Sequence, residues 1–195
     1  MNARLPAAER RHQLLATALA TFAERGYHQA SMNDIADAAG VTKPVLYQHF
    51  GSKRELFLEV LREVGGELRQ RVREATVGAP TPHQQVLRGF EAWFRWVDEQ
   101  RDGFAVLFDG EVRRDPEFLA EASKVQRQIA DLIADLIVVD GLSDERRRLL
   151  AYGIVGLGES TCRRWLAKEI QLDADDLAAQ VAELAWAGLR GLRPE

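Results

Sequence analysis

Residues 31–56 read SMNDIADAAGVTKPVLYQHFGSKREL, and this stretch decides the fold that the sequence predicts. Ser31 and Asp34 have the spacing of a capping box, which marks the start of a helix. Gly40 follows that short helix and is a residue that adopts positive φ readily. The pattern therefore predicts a short helix that ends in a tight turn.

A second short helix is expected after the turn. Thr42 is a good N-cap for it, and Pro44 falls in its first turn, where a missing N–H costs little. Leu46 and Phe50 are one turn apart, so we expect both side chains to be buried together. Ser52 is then predicted to be the N-cap of a third helix. The first backbone N–H groups of that helix could bind a DNA phosphate.

The exposed side of the second helix carries groups that suit DNA. Opposite the buried pair lie Pro44, Val45 and Gln48, flanked by Lys43, Tyr47 and His49. The amide of Gln48 suits the two edge groups of an adenine, and the apolar side chains beside it suit thymine methyl groups. Lys43, Tyr47 and Lys53 suit phosphates, which fix position without reading sequence. We therefore predict a helix-turn-helix whose second helix enters the major groove.

Alternatives at this surface stay open. In the first alternative, the whole stretch forms a helical hairpin that only contributes to a core. Single residues have alternatives of their own. In these, His49 caps or packs at the helix end and does not contact phosphate, and Tyr47 is a half-buried core aromatic.

The same residues strongly resemble the tetracycline-repressor (TetR) family of bacterial transcriptional regulators. The resemblance begins at Leu14 with LLATALATFAERGY and continues through ASMNDIADAAGVTKPVLYQHFGSKRELF, in order, spacing and residue type. It covers roughly a third of the chain. It implies an all-helical homodimer that binds palindromic operator DNA and releases it when a small molecule binds the C-terminal domain.

The resemblance also assigns DNA contacts residue by residue. The positions that face DNA in that family correspond here to Ser31, Met32, Asn33, Thr42, Lys43, Pro44, Val45, Tyr47, Gln48, His49 and Lys53. Pro44 departs from the small or flexible residue of many members, and Met32 and Asn33 are weak phosphate ligands. The resemblance therefore implies the mode of binding and not the operator sequence.

Charge is distributed unevenly along the chain. The 195 residues carry a formal net charge of −4 at pH 7, which by itself does not favour nucleic acid. Residues 1–55 hold 7 Lys and Arg against 5 Asp and Glu, whereas the remainder has a net charge of −6. A mildly basic head on an acidic body suits a DNA-binding domain joined to a body that does not touch DNA.

Other features argue against several classes of protein. Cys162 is the only cysteine, so no intrachain disulfide or cysteine-based zinc cluster forms, and a core position is expected for it. Neither a membrane-spanning run nor a signal peptide is evident, so we expect a cytoplasmic protein. The histidines are scattered, and no metal-ligand spacing or nucleophile elbow is present. We therefore expect neither an enzyme nor a cofactor or metal.

Helical periodicity dominates the rest of the chain. The sequence predicts an all-α protein of about nine helices. Residues 1–54 are expected to form the three-helix DNA-binding domain, and residues 55–195 a helical domain for ligand binding and dimerisation. A long fourth helix from about Lys53 to Thr76 is the expected lever between them.

Aromatic side chains concentrate between Phe90 and Phe118. Plain core packing explains such a cluster on its own. The resemblance to TetR proteins instead favours an apolar pocket between helices and a small hydrophobic or aromatic effector. The candidate ligand contacts are Trp93, Trp96, Phe104, Phe108 and Phe118, with Gln126 as a polar anchor.

Small residues form stripes on the last two predicted helices. Gly inside a helix costs about 1 kcal/mol relative to Ala, so glycines there indicate close helix packing. In TetR-like proteins these helices form a four-helix dimer interface, and tight packing within one subunit is the alternative. The candidate interface residues are Gly153, Gly156, Ser160, Ala178, Ala182, Ala185, Trp186 and Leu189.

The sequence leads to a ligand-responsive, dimeric repressor of transcription. The alternative is a DNA-binding activator or architectural protein without an effector, whose aromatic residues only form a core. Linkage separates the two, because an inducer must prefer the state that binds DNA poorly.

Overall fold

The computed structural model describes residues 6–108, 112 and 114–191. Within these residues the chain forms nine α-helices and no strand, which confirms the all-α prediction. The helices are α1 (Ala7–Gln29), α2 (Met32–Ala38), α3 (Lys43–His49), α4 (Lys53–Thr76), α5 (Pro82–Glu99), α6 (Arg101–Phe108), α7 (Pro116–Leu136), α8 (Asp144–Leu166) and α9 (Ala174–Leu189). α4 has the predicted bounds.

Local signals explain where several helices start and break. α1 is interrupted at Gly26, whose φ of 76° is a conformation that favours glycine. α8 begins after Ser143, whose side chain accepts a hydrogen bond from the backbone N–H of Arg146. α9 begins after Asp173, which accepts from the N–H of Asp176 at 2.8 Å. Each cap satisfies an N–H that a helix start otherwise leaves without a partner.

The chain divides into two compact units, and neither is continuous in sequence. The first consists of Met1–Gly65 and Arg101–Ala122, and the second of Gly66–Gln100 and Ser123–Glu195. These units do not follow the predicted boundary between residues 54 and 55. The first turns of α4, the whole of α6 and the first turns of α7 belong with α1, α2 and α3.

The first unit is built around α1, which packs against α2 and α6. An aromatic cluster of Phe22, Tyr27, Phe57 and Phe118 fills its interior. Four of the ring pairs in this cluster have centroids 4.6–5.0 Å apart in tilted or edge-to-face geometry, which aromatic pairs prefer. The start of α7 is thereby anchored to α1 and α4.

Arg54 fastens the start of α7 within the same unit. Its guanidinium bonds both carboxylate oxygens of Asp115, at 3.0 and 2.7 Å, and also contacts Glu117. These hydrogen bonds raise the pKa of Arg54 and lower that of Asp115. Asp115 also accepts from the backbone N–H of Phe118 at 3.3 Å and so caps α7, as its position before Pro116 predicts.

In the second unit, α5 packs along α9 and also against α8. Trp93 of α5 lies against Gly158 of α8, where an added Cβ would be only 3.2 Å from the indole Cε2 atom. The Nε1–H of Trp93 donates to the Sγ atom of Cys162 at 3.2 Å. Cys162 is fully buried, as predicted, and this burial raises its pKa to about 12.

Candidate nucleic-acid surface and ligand cavity

Local hydrogen bonds fix the start of α2, and a glycine turn connects its end to α3. Ser31 Oγ accepts from the backbone N–H of Asp34 at 3.1 Å, and Asp34 accepts from the backbone N–H of Ser31 at 2.9 Å. This is the predicted capping box. The Ser31 hydroxyl also donates to the Asp34 carboxylate at 2.6 Å, and this bond, together with the one from the Ser31 backbone N–H, holds the pKa of Asp34 below its usual range. Gly40 turns the chain with a φ of 64°, which also confirms the expectation.

α3 buries one side and exposes the other. Leu46 and Phe50 are 0% and 1% exposed, as predicted. The residues of the other side are exposed or partly exposed, namely Lys43, Pro44, Val45, Tyr47, Gln48 and His49. Tyr47 is 43% exposed, so it is not a core aromatic, and the Lys43 ammonium lies 5.9 Å from its ring centroid. α3 therefore presents hydrogen-bonding and apolar groups on the side predicted to meet DNA.

The predicted DNA contacts before α3 have different surroundings. Asn33 and Thr42 are exposed, and the hydroxyl of Thr42 makes no capping hydrogen bond although the backbone there has N-cap geometry. Ser31 is half-buried, with its hydroxyl in the capping box. Met32, which is also predicted to face DNA, is buried. Met32 is 6% exposed because it lies one turn before Ile35 on the buried side of α2.

Lys53, in the first turn of α4, makes its contacts within the protein. Its Nζ donates to the backbone carbonyl oxygens of Tyr27 at 2.7 Å, Ala30 at 2.8 Å and His28 at 3.4 Å. Nζ also lies 4.4 Å from the ring centroid of Tyr27. A phosphate contact of the kind predicted from sequence would have to replace at least one of these bonds.

The start of α4 has the expected cap. Ser52 Oγ accepts from the backbone N–H of Glu55 at 3.1 Å, and the Glu55 carboxylate accepts from the N–H of Gly51 at 2.9 Å. These bonds fix the chain between the end of α3 and the start of α4.

Arg11 is a feature of this surface that sequence reasoning did not identify. Its guanidinium lies 4.6 Å from the ring centroid of Phe50, the residue that ends α3, and bonds Glu59 at 3.2 Å. A cation at the end of a helix is favourable for the helix dipole. In the sequence, Arg11 appears only as part of a basic run, and no spacing connects it with Phe50.

A cavity of about 570 Å³ lies within the second unit. Ligand pockets commonly have volumes of about 300–1,000 Å³. The walls come from α5, α8 and α9 and from the ends of α4 and α7, and they are mainly apolar. Representative wall residues are Val72, Val86, Phe90, Ile133, Val155 and Trp186. Among the lining residues, Arg190 is the one cation and Asp135 the one anion, and both are exposed.

Of the predicted ligand contacts on α5, one lines this cavity. Trp93 does so, whereas Trp96 is fully buried elsewhere in the core. The indole N–H of Trp96 has no hydrogen-bond partner in the described part of the chain. Gln126 is not among the lining residues, and its side-chain amide donates to Glu159 at 3.0 Å.

The three remaining predicted contacts belong to the first unit and do not line the cavity. Phe104 and Phe108 are buried with their ring centroids 4.6 Å apart. Phe118 belongs to the aromatic cluster with Tyr27 and Phe57. The aromatic segment is thus largely core, which was the alternative interpretation, and most of the cavity wall comes from other helices.

α8 and α9 each expose an apolar side. Leu149, Tyr152 and Leu184 are 69%, 46% and 63% exposed. The predicted interface residues Gly153, Gly156 and Ser160 are also exposed, and a Cβ added at either glycine would meet nothing within 4 Å. These positions are accessible to another chain.

Two predicted interface residues of α9 are placed differently by the structure. Ala178 and Ala182 are 0% and 1% exposed, because they lie on the buried side of α9, which packs along α5. Ala185, Trp186 and Leu189 are partly exposed, and the last two line the cavity. Small size on this side of α9 therefore serves packing within the subunit.

Two negative findings hold for the described residues. Nowhere in them do three or more His, Cys, Asp or Glu side chains form a group able to hold a metal ion. None of their helices is both long and apolar enough to cross a membrane.

Comparison with known proteins places both parts of the chain in one family. Residues 14–60 match the family model described as bacterial regulatory proteins, tetR family. Residues 82–188 match the model described as tetracyclin repressor-like, C-terminal domain. The second match alone spans more than half of the chain.

Individual relatives agree with these matches. The chain is 38% identical to the HTH-type transcriptional activator FasR of Mycolicibacterium smegmatis, over 95% of this chain and 85% of that protein. It is 27% identical to the HTH-type transcriptional repressor KstR2 of the same organism, over 93% of this chain and 91% of that one. Its fold is similar to the crystal structure of the transcriptional regulator FadR from Bacillus subtilis in complex with stearoyl-CoA. That similarity has a TM-score of 0.75 and 19% identity, and it covers 93% of this chain and 99% of the other.

Proposed function

The chain belongs to the TetR family and is a transcriptional regulator, and from that premise we propose that it binds palindromic operator DNA as a homodimer and leaves it when a hydrophobic effector binds. Such a protein is a repressor in the absence of effector. The observation that carries the proposal is the exposed side of α3, with its amide, cation, phenol and small apolar groups. We assign the chain no catalytic role.

Five side chains on the exposed side of α3 have proposed tasks. The carboxamide of Gln48 bonds the N6 and N7 groups of an adenine, and Pro44 and Val45 meet thymine methyl groups. Lys43 and Tyr47 bond phosphates and hold α3 at its depth in the groove. Asn33 and Thr42, which are exposed beside the turn, supply further phosphate contacts.

The homodimer is proposed to form through α8 and α9. The exposed side chains of Leu149, Tyr152 and Leu184 gain most from burial, since removal of apolar surface from water drives association. Gly153 and Gly156 allow a partner helix to approach closely because space around their Cα atoms is open. Two copies then present two α3 helices to half-sites about one DNA turn apart or slightly more.

The effector is proposed to occupy the cavity of the second unit. Its mainly apolar wall suits a hydrophobic molecule, and the FadR structure with stearoyl-CoA, similar in fold, suggests a long acyl chain. Arg190 lines the cavity and is exposed, so it lies at the opening. Its guanidinium suits a carboxylate or phosphate of the effector.

The proposed response runs along α4. Val72 and Thr76, near the end of this helix, line the cavity, and the helix begins at Lys53, four residues after α3 ends at His49. A ligand that displaces the end of α4 therefore moves a helix that continues to the edge of the reading surface. In the dimer, that movement changes the separation of the two α3 helices.

A second candidate is a DNA-binding activator. It is favoured by the 38% identity to FasR, which is named as an activator and matches over nearly the whole chain. The sign of regulation depends on where the operator lies relative to the promoter, so DNA binding by α3 is common to both candidates. A reporter fused to the chain's own promoter, with and without the gene, separates them by an increase or a decrease in expression.

The DNA-binding part is tested by selection of randomised duplex DNA against the purified protein, read by sequencing. We expect an enriched palindrome with two half-sites. No enrichment at low salt and without ligand would overturn the proposal.

The effector part is tested by thermal shift and DNA release with stearoyl-CoA, with coenzyme A as the control ligand. We expect stearoyl-CoA alone to raise the melting temperature and weaken operator binding. Val86→Trp, which fills the cavity, should abolish both effects. Val77→Trp is the matched control, because Val77 is 68% exposed and is not among the lining residues.

A further inference from the structure

Lys53 has an ammonium group surrounded by backbone oxygens. Three carbonyl oxygens, those of Tyr27, His28 and Ala30, lie within 2.7–3.4 Å of Nζ. An ammonium has three N–H donors and no acceptor, so the three oxygens match its hydrogen-bonding capacity. The ring of Tyr27, 4.4 Å away, adds a favourable cation–π contact.

The bonded carbonyls lie where α1 ends and α2 is about to begin. Gly26 interrupts α1, and the segment after it ends at Ala30, directly before the N-cap Ser31 of α2. Carbonyl groups at such a helix end have no partner further along the helix, and a cation beside them is favourable. Lys53 therefore ties the α1–α2 junction to the first turn of α4.

These two points of the chain bracket the reading element. α2 and α3 run between Ser31 and Phe50, and Lys53 lies just after them. The bonds from Lys53 thus close a loop of about twenty residues at its base, and the whole of the α2–turn–α3 segment is held inside that loop. We call the bonds from Lys53 to these three carbonyl oxygens the Lys53 clamp. A change in the clamp would alter the direction of α3 without touching any group on its exposed side.

We propose that Lys53 is a positioning residue for the DNA-reading helix and not a phosphate contact. This inference rests on the proposed function, since it concerns how α3 is held for DNA. It replaces the role that spacing and family resemblance assign to this lysine. A phosphate contact would require the ammonium to leave carbonyl oxygens that are already at hydrogen-bond distance.

The test compares Lys53→Met with Lys43→Met, because Lys43 is the exposed lysine of α3. Affinity for the selected palindrome and for unrelated DNA is measured at several salt concentrations, at a temperature where circular dichroism shows every variant folded. The plot of log K against log salt has a negative slope, and each lost phosphate contact reduces the size of that slope by about 0.9. Lys43→Met should therefore reduce the slope by about 1.8 per dimer and weaken all sequences alike.

Lys53→Met is expected to behave differently. Its salt slope should match that of the unchanged protein, and its preference for the palindrome over unrelated DNA should fall by about tenfold or more. A role in stability alone would leave this preference unchanged in the folded protein. A lower slope with an unchanged preference would show a phosphate contact and overturn the proposal.

Lys53→Arg gives a second arm that does not depend on the Met variant folding. A guanidinium retains a phosphate contact, but its planar donors do not converge on three carbonyls as an ammonium does. We expect Lys53→Arg to lose preference for the palindrome as Lys53→Met does, and retention of wild-type preference would contradict the inference.

Amide hydrogen exchange on the protein without DNA separates the inference from the proposed function. Lys53→Met should speed exchange in residues 30–35 while leaving the α8 amides unchanged. If the unchanged protein selects no DNA, the proposed function fails. The clamp is then judged by this exchange alone, and unaltered exchange would refute it.

Discussion

Gly158→Ala probes a close contact between α8 and α5 in the second unit. A Cβ at this position would lie 3.2, 3.4 and 3.5 Å from the Cε2, Nε1 and Cζ2 atoms of Trp93. The indole cannot retreat without cost, because it is 4% exposed and its N–H is bonded to Cys162. The new methyl group therefore forces a shift of a few tenths of an ångström in a packed core.

The expected magnitude follows from two opposing terms. Alanine in place of glycine inside a helix stabilises by about 1 kcal/mol. Overpacking of a filled core costs about 1–3 kcal/mol. We therefore expect Gly158→Ala to lower the free energy of unfolding by about 1 kcal/mol, which is about 2–4 °C in melting temperature for a chain of this size.

Gly66→Ala is the matched control. Gly66 is also inside a helix, but a Cβ there would meet nothing within 4 Å. Only the helix term then applies, so this variant should be more stable by about 0.5–1 kcal/mol. Both are measured by chemical denaturation at one protein concentration, because the proposed dimerisation would make stability concentration-dependent.

A Gly158→Ala protein as stable as the Gly66→Ala protein would show that the added methyl group does not overpack the contact with Trp93. A double-mutant cycle with Trp93→Phe gives a further check. The smaller ring lacks the indole nitrogen side that the methyl group meets, so the cycle should show a coupling of at least about 0.5 kcal/mol. Because Trp93 also lines the cavity, Gly158→Ala should weaken effector binding as well.

Three further predictions concern other parts of the chain. Burial raises the pKa of Cys162 to about 12, so the thiol stays neutral at pH 8 and should react with a thiol reagent only when denaturant unfolds the protein. Ser31→Ala removes the N-cap of α2 and should lower the free energy of unfolding by about 1 kcal/mol, measured by urea denaturation. Because the pKa of Asp34 is lowered in the folded protein, its ionised carboxylate stabilises the fold above the ordinary carboxyl pKa, and this stabilisation is lost as the pH falls through the lowered pKa. The difference in free energy of unfolding between the Ser31→Ala and unchanged proteins should therefore shrink in acid. Leu184→Glu places a charge on the exposed side of α9 and should shift the protein towards monomer in light scattering, whereas an unchanged dimer would exclude that side from the interface.

The features that sequence predicts well here are local ones. The capping box at Ser31, the turn at Gly40 and the burial of Leu46 and Phe50 depend on residues within one or two turns of each other. Their spacing alone therefore fixes two helices and the side of α3 that stays exposed.

The features that sequence missed depend on partners distant along the chain. The contacts of Lys53 with carbonyl groups more than twenty residues earlier exist only because α1 ends beside α4. Arg11 meets Phe50 for the same kind of reason. Neither pairing produces a periodic pattern in the sequence, so sequence reasoning interprets Lys53 and Arg11 as surface charges.

The second limit of sequence reasoning here is the orientation of α9. α9 has small or apolar residues on more than one side, so spacing did not reveal that Ala178 and Ala182 pack within the subunit while Leu184 is exposed. In the aromatic segment, Phe104 and Phe118 have the same residue type as Phe90, yet only Phe90 lines the cavity. Composition identifies a residue as apolar, and only the packing of helices decides whether it meets a core, a cavity or a partner.

The proposed function depends above all on the reading of operator bases by the exposed side of α3. The most direct measurement is to repeat the selection of randomised duplex DNA with Gln48→Ala and compare the enriched sites. We expect the same palindrome with preference lost at one base pair in each half-site, at a cost of about 1–3 kcal/mol for the original base. An unchanged pattern of preference, with binding equally weaker for all sequences, would contradict it and would place Gln48 outside the groove.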